Sequence, residues 1–332
     1  MIDVLDVFLT VFFLLILAVP GFIFAKTKML PASSSETLSS IVLYGCQPIL
    51  LITSFQSCAF NAEIALNMLY IAAIAVAAHL IMIFIAKLAF AKWAGDEKVQ
   101  IVKYLSVFSN CGFMGLPFLQ SLFTDAAVQS ELVIYCAVVL AVFNLMNWTF
   151  GAYILTGDKK EISAKKVLLN PVTISVILSV VLFVTMQKPL IEFTTAGTLG
   201  YKIVTRLMGS LNFLSNMVTP LSMFVIGIRL ENMGLKRLFT DKWTYIATAM
   251  KLVGMSVVTM LLVAWLPIAP SIKYTAFFLF SMPSATSAAM MSVRFGKDGN
   301  FASAGVLLST ICSVVTIPLL YLFMSGVLGV SM

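Results

Sequence analysis

Charged residues are scarce in this chain of 332 residues: Asp, Glu, Lys and Arg make up 11% of it, whereas hydrophobic residues make up 61%. Soluble globular proteins have roughly 25% charged residues, so this composition excludes a water-soluble protein. A membrane span needs about 20 apolar residues, and the chain has such stretches one after another with short polar breaks. The sequence therefore predicts an all-α polytopic membrane protein with little extramembrane structure.

Motifs of catalysis and metal binding are also missing. The chain has one histidine and five cysteines without CxxC or Cys/His spacing, which indicates neither a metal site nor a disulfide framework. No GxSxG, HExxH or GxxxxGK[ST] motif occurs, and these motifs mark common hydrolase and nucleotide sites. We therefore expect no enzyme, no metal and no cofactor, with H⁺ or Na⁺ as candidate coupling ions. The cysteines are interpreted as packing residues.

The net charge of +7 is more informative about topology than about partners. Lys and Arg residues form short clusters between apolar stretches rather than one basic face, so no nucleic-acid partner is expected. Sixteen of them fall in alternate loops and four in the others. By the positive-inside rule, both termini are predicted on the non-cytoplasmic side of the plasma (inner) membrane. The acidic residues Asp3 and Asp6 are unlike a signal peptide, and residues 5–25 are interpreted as a permanent span.

Ten spans are predicted from the apolar stretches and polar breaks: 5–25, 38–57, 64–86, 99–123, 131–155, 167–187, 208–230, 243–266, 271–293 and 302–325. Termini on one side require an even number of spans. The natural division is a five-helix repeat in 1–155, a short cytoplasmic linker in 156–166 and a second repeat in 167–332, which must have inverted topology. Two pairs of landmarks support this division, Gln47-Pro48 with Thr219-Pro220, 172 residues apart, and Asp125 with Asp298, 173 apart.

Predicted spans 4 and 9 contain residues that disfavour a continuous helix. Span 4 has the sequence SNCGFMGLP over residues 109–117, and span 9 has SMPSATS over residues 281–287. Proline removes a backbone donor and glycine tolerates irregular dihedrals, so we expect breaks in both spans. Interrupted helices at matching positions of inverted repeats are typical of a transporter site near the bilayer midplane. Simple kinked packing helices are the alternative, because Gly and Ser are common in membrane bundles.

Two ionisable residues fall inside predicted spans. His79 in span 3 and Lys251 in span 8 are 172 residues apart, and ionisable groups inside a membrane are costly and often functional. They are candidate coupling residues. The alternatives are that His79 bonds a neighbouring carbonyl and that Lys251 snorkels to the nearby cytoplasmic surface. Amides are also abundant in or near the spans: Gln47, Asn110, Asn144, Asn147, Asn170 and Asn216.

The chain resembles the auxin efflux carrier family, within the larger group of bile-acid and arsenite transporter-like folds. The resemblance rests on five segments: NCGFMGLPFLQSL at 110–122, Asn170-Pro171, PLSMFVIGIRL at 220–230, MPSATSAAMMSVRFG at 282–296 and GVLLSTICSVVTIPLL at 305–320. It implies a scaffold domain from spans 1, 2, 6 and 7, and a transport domain from spans 3, 4, 5, 8, 9 and 10. It further implies crossing of spans 4 and 9, elevator-type alternating access, and a homodimer formed through the scaffold.

The resemblance also implies a small organic anion as substrate. Plant members export indole acetate, and bacterial relatives are linked to malonate and malate. This chain has only a short linker between its halves, so a bacterial short-loop carrier is the better analogue. Some plant members have an acidic support residue in span 3, where this chain has His79, and that departure leaves the coupling open.

The resemblance and the motifs together give the predicted substrate-binding residues: Asn110, Cys111, Gly112, Gly115, Pro117, Asn144, Pro283, Ser284 and Thr286. We expect backbone N–H groups at the breaks, together with Asn110, Ser284 and Thr286, to hold a carboxylate. Two other functions remain open: a Na⁺-coupled symporter of larger anions, as in the bile-acid branch, and a membrane sensor that binds a carboxylate without transporting it.

Overall fold

A computed structural model describes residues 3–31, 33–93, 95–158, 160, 165, 169–233 and 241–328. Most of the predicted linker 156–166 lies outside the described residues, as do four of the basic residues that were used to predict topology: Lys159, Lys166, Lys236 and Arg237.

The described residues form α-helices joined by short loops, and they contain no β-strand. We number the helices α1 (Val4–Lys26, with a turn at residues 17–18), α2 (Ser34–Phe55), α3 (Ala62–Ala89), α4 (Glu97–Val107), α5 (Cys111–Leu122), α6 (Ala126–Thr156), α7 (Pro171–Met186), α8 (Leu199–Asn216), α9 (Val218–Met233), α10 (Lys242–Ala264), α11 (Pro270–Ser281), α12 (Ser287–Arg294) and α13 (Gly299–Leu328).

Seven helical stretches of the described residues are long and apolar enough to cross a membrane: α1, α2, α3, α6, α8 with α9, α10 and α13. The chain is thus an all-helical, multi-pass membrane protein. The other predicted spans, 99–123, 167–187 and 271–293, fall in shorter helices. The number ten and the five-plus-five repeat therefore stay predictions.

The boundary of predicted span 208–230 is wrong at its N-terminal end. Helix α8 begins at Leu199, where the Thr198 hydroxyl accepts a hydrogen bond from the Tyr201 N–H at 3.3 Å. Lys202 and Arg206 were interpreted as loop residues, but they lie on an exposed part of this helix. Capping by threonine decides the start of α8, and hydropathy alone does not detect it.

Side-chain caps set most helix starts in the described part of the chain. The Asp125 carboxylate accepts hydrogen bonds from Ala127 N and Val128 N, both at 3.0 Å, before α6. Asp298 does the same for Asn300 N at 2.9 Å and Phe301 N at 3.0 Å, before α13. An aspartate in this position satisfies donors that the first helical turn leaves free. Both members of this landmark pair therefore have the same local role.

Four helices contain a π-helical turn: Ile41–Cys46 in α2, Cys111–Gly115 in α5, Asn147–Gly151 in α6 and Met250–Gly254 in α10. A π turn inserts an extra residue into the helical repeat and is frequent at functional sites. All four lie around one region of the molecule, which is described below.

Two glycines allow α1 and α9 to pack with their backbones in contact. A Cβ at Gly21 would overlap the Phe224 carbonyl oxygen, and a Cβ at Gly227 would overlap the Ala18 carbonyl oxygen and lie 2.7 Å from Phe22 N. Small residues let membrane helices approach closely. The contact fixes α9 against α1 and thereby positions Arg229, two residues beyond Gly227.

The helices pack in two groups. The second half of α1 packs on α9, and α2 packs on α7, α8 and α9. In the other group, α3 packs on α6, α10 on α4, α11 and α13, and α12 on α13. Contacts of α1 with α13 and of α6 with α2 and α7 join the groups. The assignment of these helices to a scaffold domain and a transport domain stays a prediction.

An ion pair outside the spans joins α4 and α10. Lys98 Nζ lies 2.7 Å from Asp241 Oδ2, and Asp241 Oδ1 accepts a hydrogen bond from Trp243 N at 3.0 Å. Partial burial tends to raise the pKa of Asp241, but the hydrogen bonds from Lys98 and Trp243 and the nearby positive charges outweigh it and lower the pKa below its usual value. The carboxylate is therefore stabilised in the folded protein.

We expect Asp241→Asn to lower the free energy of unfolding by less than about 1 kcal/mol near neutral pH, because exposed ion pairs contribute little and asparagine also caps helices. Because the pKa of Asp241 is lower in the folded protein than in the unfolded chain, the ionised carboxylate adds stability at pH values above the unfolded pKa of about 3.9. This stability is lost as the pH falls through the folded pKa. Thermal unfolding in detergent between pH 7 and pH 3 should therefore show the wild-type advantage disappear. Asp96→Asn, which alters a cap without an ion pair among the described residues, is the control. An advantage that persists at pH 3 would contradict the prediction.

Candidate functional site

Two short non-helical segments meet near the centre of the molecule. Residues 108–110 separate α4 from α5, and residues 282–286 separate α11 from α12. The segments form an antiparallel bridge at Ser109 and Ser284. Asn110 N donates to the Pro283 carbonyl, and Ala285 N donates to the Phe108 carbonyl, both at 2.8 Å. Backbone groups that leave the helical pattern inside a membrane must find such partners, and here each segment supplies them to the other.

Neighbouring helices hold this bridge in place. Ser284 N donates to Ser309 Oγ of α13 at 3.0 Å, and Ser284 Oγ donates to the Leu105 carbonyl at 2.9 Å. Lys251 Nζ donates to Ser109 Oγ at 2.6 Å and to the Phe280 carbonyl at 2.8 Å. The bridge is therefore fixed by α4, α10 and α13, and the hydroxyl of Ser284 is already in use.

A cavity of about 130 Å³ lies beside the bridge, between the two groups of helices. Its lining residues come from α2, α9, the start of α7, α5, α6 and α12, and from the two non-helical segments. They are Ser39, Leu43, Tyr44, Gln47, Ser109, Asn110, Cys111, Gly112, Phe113, Leu140, Phe143, Asn144, Asn147, Trp148, Asn170, Val172, Arg229, Ala285, Thr286, Ser287 and Met290. Three of the four π turns contribute to this lining.

Two buried amides in the cavity wall have donors without a partner among the described residues. Asn110 is 3% exposed and Gln47 is 1% exposed, and neither Asn110 Nδ2 nor Gln47 Nε2 makes a hydrogen bond there. Gly112 leaves room for the Gln47 amide, because a Cβ at Gly112 would lie 3.1 Å from Gln47 Nε2. A buried donor without an acceptor costs about 1–3 kcal/mol, so these amides favour a ligand that accepts hydrogen bonds.

The predicted site residues divide into two sets by position. Asn110, Cys111, Gly112, Asn144 and Thr286 line the cavity, whereas Gly115, Pro117, Pro283 and Ser284 do not. A Cβ at Gly115 would lie 2.7 Å from Leu279 Cδ2, so this glycine allows close packing of α5 on α11. Pro117 is buried near the start of the α-helical part of α5, two residues after the π turn Cys111–Gly115.

Five of the six amides singled out in the sequence line the cavity, and Asn216 is the exception. The Tyr104 hydroxyl donates to Asn147 Oδ1, and the Asn170 side chain caps α7 by accepting from Val172 N at 2.9 Å. These two amide oxygens are therefore partly used within the protein. The side-chain donors of Asn110 and Gln47 are buried and make no hydrogen bond among the described residues.

Lys251 and His79 lie outside the cavity lining. Lys251 is fully buried, so the alternative that it snorkels to the surface is wrong: its π turn and its two acceptors direct it to the bridge. His79 Nδ1 lies 2.7 Å from the Ala75 carbonyl, so the alternative of a bond to a neighbouring carbonyl is confirmed. The ring packs against Phe108 and Phe280. A role in ion coupling stays a prediction for both residues.

Arg229 is the residue of the site that sequence reasoning missed. It was counted with the loop cations although it falls at the end of predicted span 208–230, and in the structure α9 continues to Met233. Arg229 Nη1 donates to the Thr286 carbonyl at 3.0 Å, and Nη2 donates to Ser39 Oγ at 3.1 Å. Arg229 has the only charged side chain among the described residues that line the cavity. Its place within PLSMFVIGIRL, an otherwise apolar segment, was the available signal.

The wall thus combines unpartnered amide donors with one guanidinium and has no carboxylate among its described residues. Donors and a positive charge in an otherwise apolar cavity favour an anion that accepts hydrogen bonds. A cavity of about 150 Å³ accommodates benzene, so a cavity of about 130 Å³ suits a ligand with few non-hydrogen atoms. The geometry therefore favours a small organic anion over a large amphipathic one.

Comparison with known proteins agrees with this architecture. A protein-family model described as membrane transport protein matches residues 6–321 of the chain. This family includes the auxin efflux carriers, so the resemblance found in the sequence is confirmed. No curated protein matches the chain.

Proposed function

The chain belongs to the membrane transport protein family, which includes the auxin efflux carriers, and we propose that it is a secondary carrier for a small organic anion such as malonate or malate. Membership in the family supports transport across a membrane. The choice of an organic anion rests on the chemistry of the cavity, and the choice of a small one rests on its volume.

The observation that carries the proposal is the pair of buried, unpartnered amide donors at Asn110 and Gln47. A carboxylate entering the cavity accepts hydrogen bonds from both, which replaces an unfavourable state of the empty protein with two charge-assisted bonds. Helix α12 begins at Ser287, which lines the cavity, and the dipole at a helix N-terminus favours an anion. A neutral or cationic solute gains none of these interactions.

Alternating access of the elevator type is the mechanism that we propose. The cavity lies between the two groups of helices, with Gln47 and Arg229 on one group and Asn110 and Thr286 on the other. Sliding of one group along the other moves the bridge and its bound anion relative to α2, α7 and α9. In this mechanism the rigid bridge keeps the ligand contacts of α5 and of the 282–286 segment together during the movement.

Asn110→Ala is the experiment that tests this function. We expect saturable counterflow of radiolabelled malonate or malate by the wild type in proteoliposomes. We expect at least a tenfold weaker apparent affinity in the variant, because one charge-assisted hydrogen bond contributes about 1.5–3 kcal/mol. Asn216→Ala removes an amide that does not line the cavity and should behave as the wild type.

Several results would contradict the proposal. Equal counterflow by the wild type and Asn110→Ala would remove Asn110 from the site. Uptake that requires Na⁺ and accepts bile acids would favour the symporter of larger anions. Binding of malonate without any counterflow would favour a sensor. Exchange of indole acetate in preference to malonate would contradict the size argument, because indole acetate is much larger than benzene, which a cavity of about 150 Å³ accommodates.

A further inference from the structure

Arg229 has unused hydrogen-bonding capacity at the cavity wall. A guanidinium carries five N–H donors, and the bonds to the Thr286 carbonyl and Ser39 Oγ leave others available. The residue is partly buried and forms no ion pair with any described carboxylate. Glu36, one turn before Ser39 on α2, interacts with it electrostatically but does not reach it. A cation in this position is held by neutral oxygens alone.

The negative charge of Glu36 compensates such a cation from a distance, without forming an ion pair with it. Placing a charge in a membrane interior is costly, and the cost falls when an opposite charge pairs with it. No Asp or Glu occurs among the described lining residues. An anionic group of a ligand is therefore the natural partner for the free side of Arg229, and a planar carboxylate suits the guanidinium geometrically because the two can form parallel hydrogen bonds.

Arg229 and the amide donor Gln47 lie on opposite sides of the bridge. The bridge between Ser109 and Ser284 is antiparallel. The segment after Ser109 and the segment after Ser284 therefore run in opposite directions. Gly112, next to the Gln47 amide, lies on one side. Thr286, bound to Arg229, lies on the other side. The cavity thus has an amide end and a guanidinium end.

We propose that Arg229 determines specificity by binding the second carboxylate of a dicarboxylate whose first carboxylate is held by Asn110 and Gln47. A monocarboxylate satisfies only one end of the cavity and leaves the guanidinium without an anionic partner. The inference rests on the proposed function, because it requires that the cavity binds an organic anion. The inference assigns a role to Arg229: through this residue the carrier selects small dianions.

The experiment compares ligands that differ by a single charge. Counterflow in proteoliposomes is measured with malonate and malate, each against its monomethyl ester, for the wild type and for Arg229→Gln. We expect the wild type to bind each diacid at least about tenfold more tightly than its monoester. In Arg229→Gln this ratio should fall close to one, mainly through weaker diacid binding. Arg229→Lys, which keeps the charge but not the planar fork, should recover part of the preference.

Controls separate this inference from the proposed function. Arg206→Gln removes an exposed arginine of α8 that does not line the cavity and should keep the wild-type ratio. A diacid preference that survives in Arg229→Gln would overturn the inference. Equal weakening of diacid and monoester in that variant would also overturn it, because it would indicate a structural role. If the wild type exchanges anions without preferring diacids, only this inference fails. If the wild type exchanges none of the four ligands, the proposed function fails with it.

Discussion

Gly227→Leu is expected to abolish the folded carrier. The Cα of Gly227 lies against the backbone of α1, and even a Cβ would overlap the Ala18 carbonyl oxygen and crowd Phe22 N. Backbone atoms cannot rotate aside as a side chain can, so α9 would have to move away from α1. Overpacking a core usually costs about 1–3 kcal/mol. We expect a leucine here to exceed that range, because the whole helix contact opens and the mirrored contact at Gly21 opens with it.

The measurement is the yield of monodisperse protein in detergent and its thermal unfolding. Gly227→Ala should be intermediate, destabilised by about 2–3 kcal/mol. Gly209→Ala is a matched control, because a Cβ at Gly209 in α8 meets nothing within 4 Å. It should be neutral or stabilising by up to about 1 kcal/mol, since alanine favours a helix over glycine. Wild-type stability of Gly227→Ala would contradict the close contact between α1 and α9.

The contact of α1 and α9 also explains why Arg229 escaped prediction. Hydropathy and charge alone assign an arginine at the end of an apolar stretch to a loop. Two facts of packing override this assignment: α9 continues to Met233, and Gly227 brings the helix close to α1. Arg229 then reaches Ser39 and Thr286 instead of water. Contacts between elements far apart in the sequence decide its role, and no local pattern encodes them.

The candidate site itself was easier to predict. Glycine, proline and hydroxyl residues inside apolar stretches are unusual enough to mark segments 109–117 and 281–287, and both segments contribute residues to the cavity. The sequence does not predict which side chains of these two segments line the cavity, because the bridge between the segments decides how the side chains are oriented. Ser284 faces Leu105 and Ser309, whereas Thr286, two residues on, lies at the cavity. Alternation would place residues 284 and 286 on the same side of an extended chain. Thr286 instead has helical dihedrals at the start of α12, and where that helix begins is set by the packing of the two segments.

Lys251 illustrates the same difference between composition and geometry. Near the cytoplasmic end of a span, a lysine usually extends to the surface. Here the π turn Met250–Gly254 changes the direction of the side chain, and a hydroxyl and a carbonyl near the bridge accept its hydrogen bonds. The Phe280 carbonyl lies in the last turn of α11, where the helix dipole favours a positive charge,. The ammonium therefore joins both non-helical segments at their edges.

Lys251→Met is expected to reduce counterflow at least tenfold without unfolding the protein. The substitution removes two bonds from a charged donor, each contributing about 1.5–3 kcal/mol, and Ser109, one of the acceptors, directly precedes Asn110. It also removes the cost of burying a charge, so the free energy of unfolding should change little or increase. Counterflow of malonate and thermal unfolding are measured together, with Lys202→Met on the exposed part of α8 as the control. Loss of counterflow without loss of stability would indicate that Lys251 positions the bridge. Unchanged counterflow would mean that the backbone bonds between the two segments alone keep Asn110 in place.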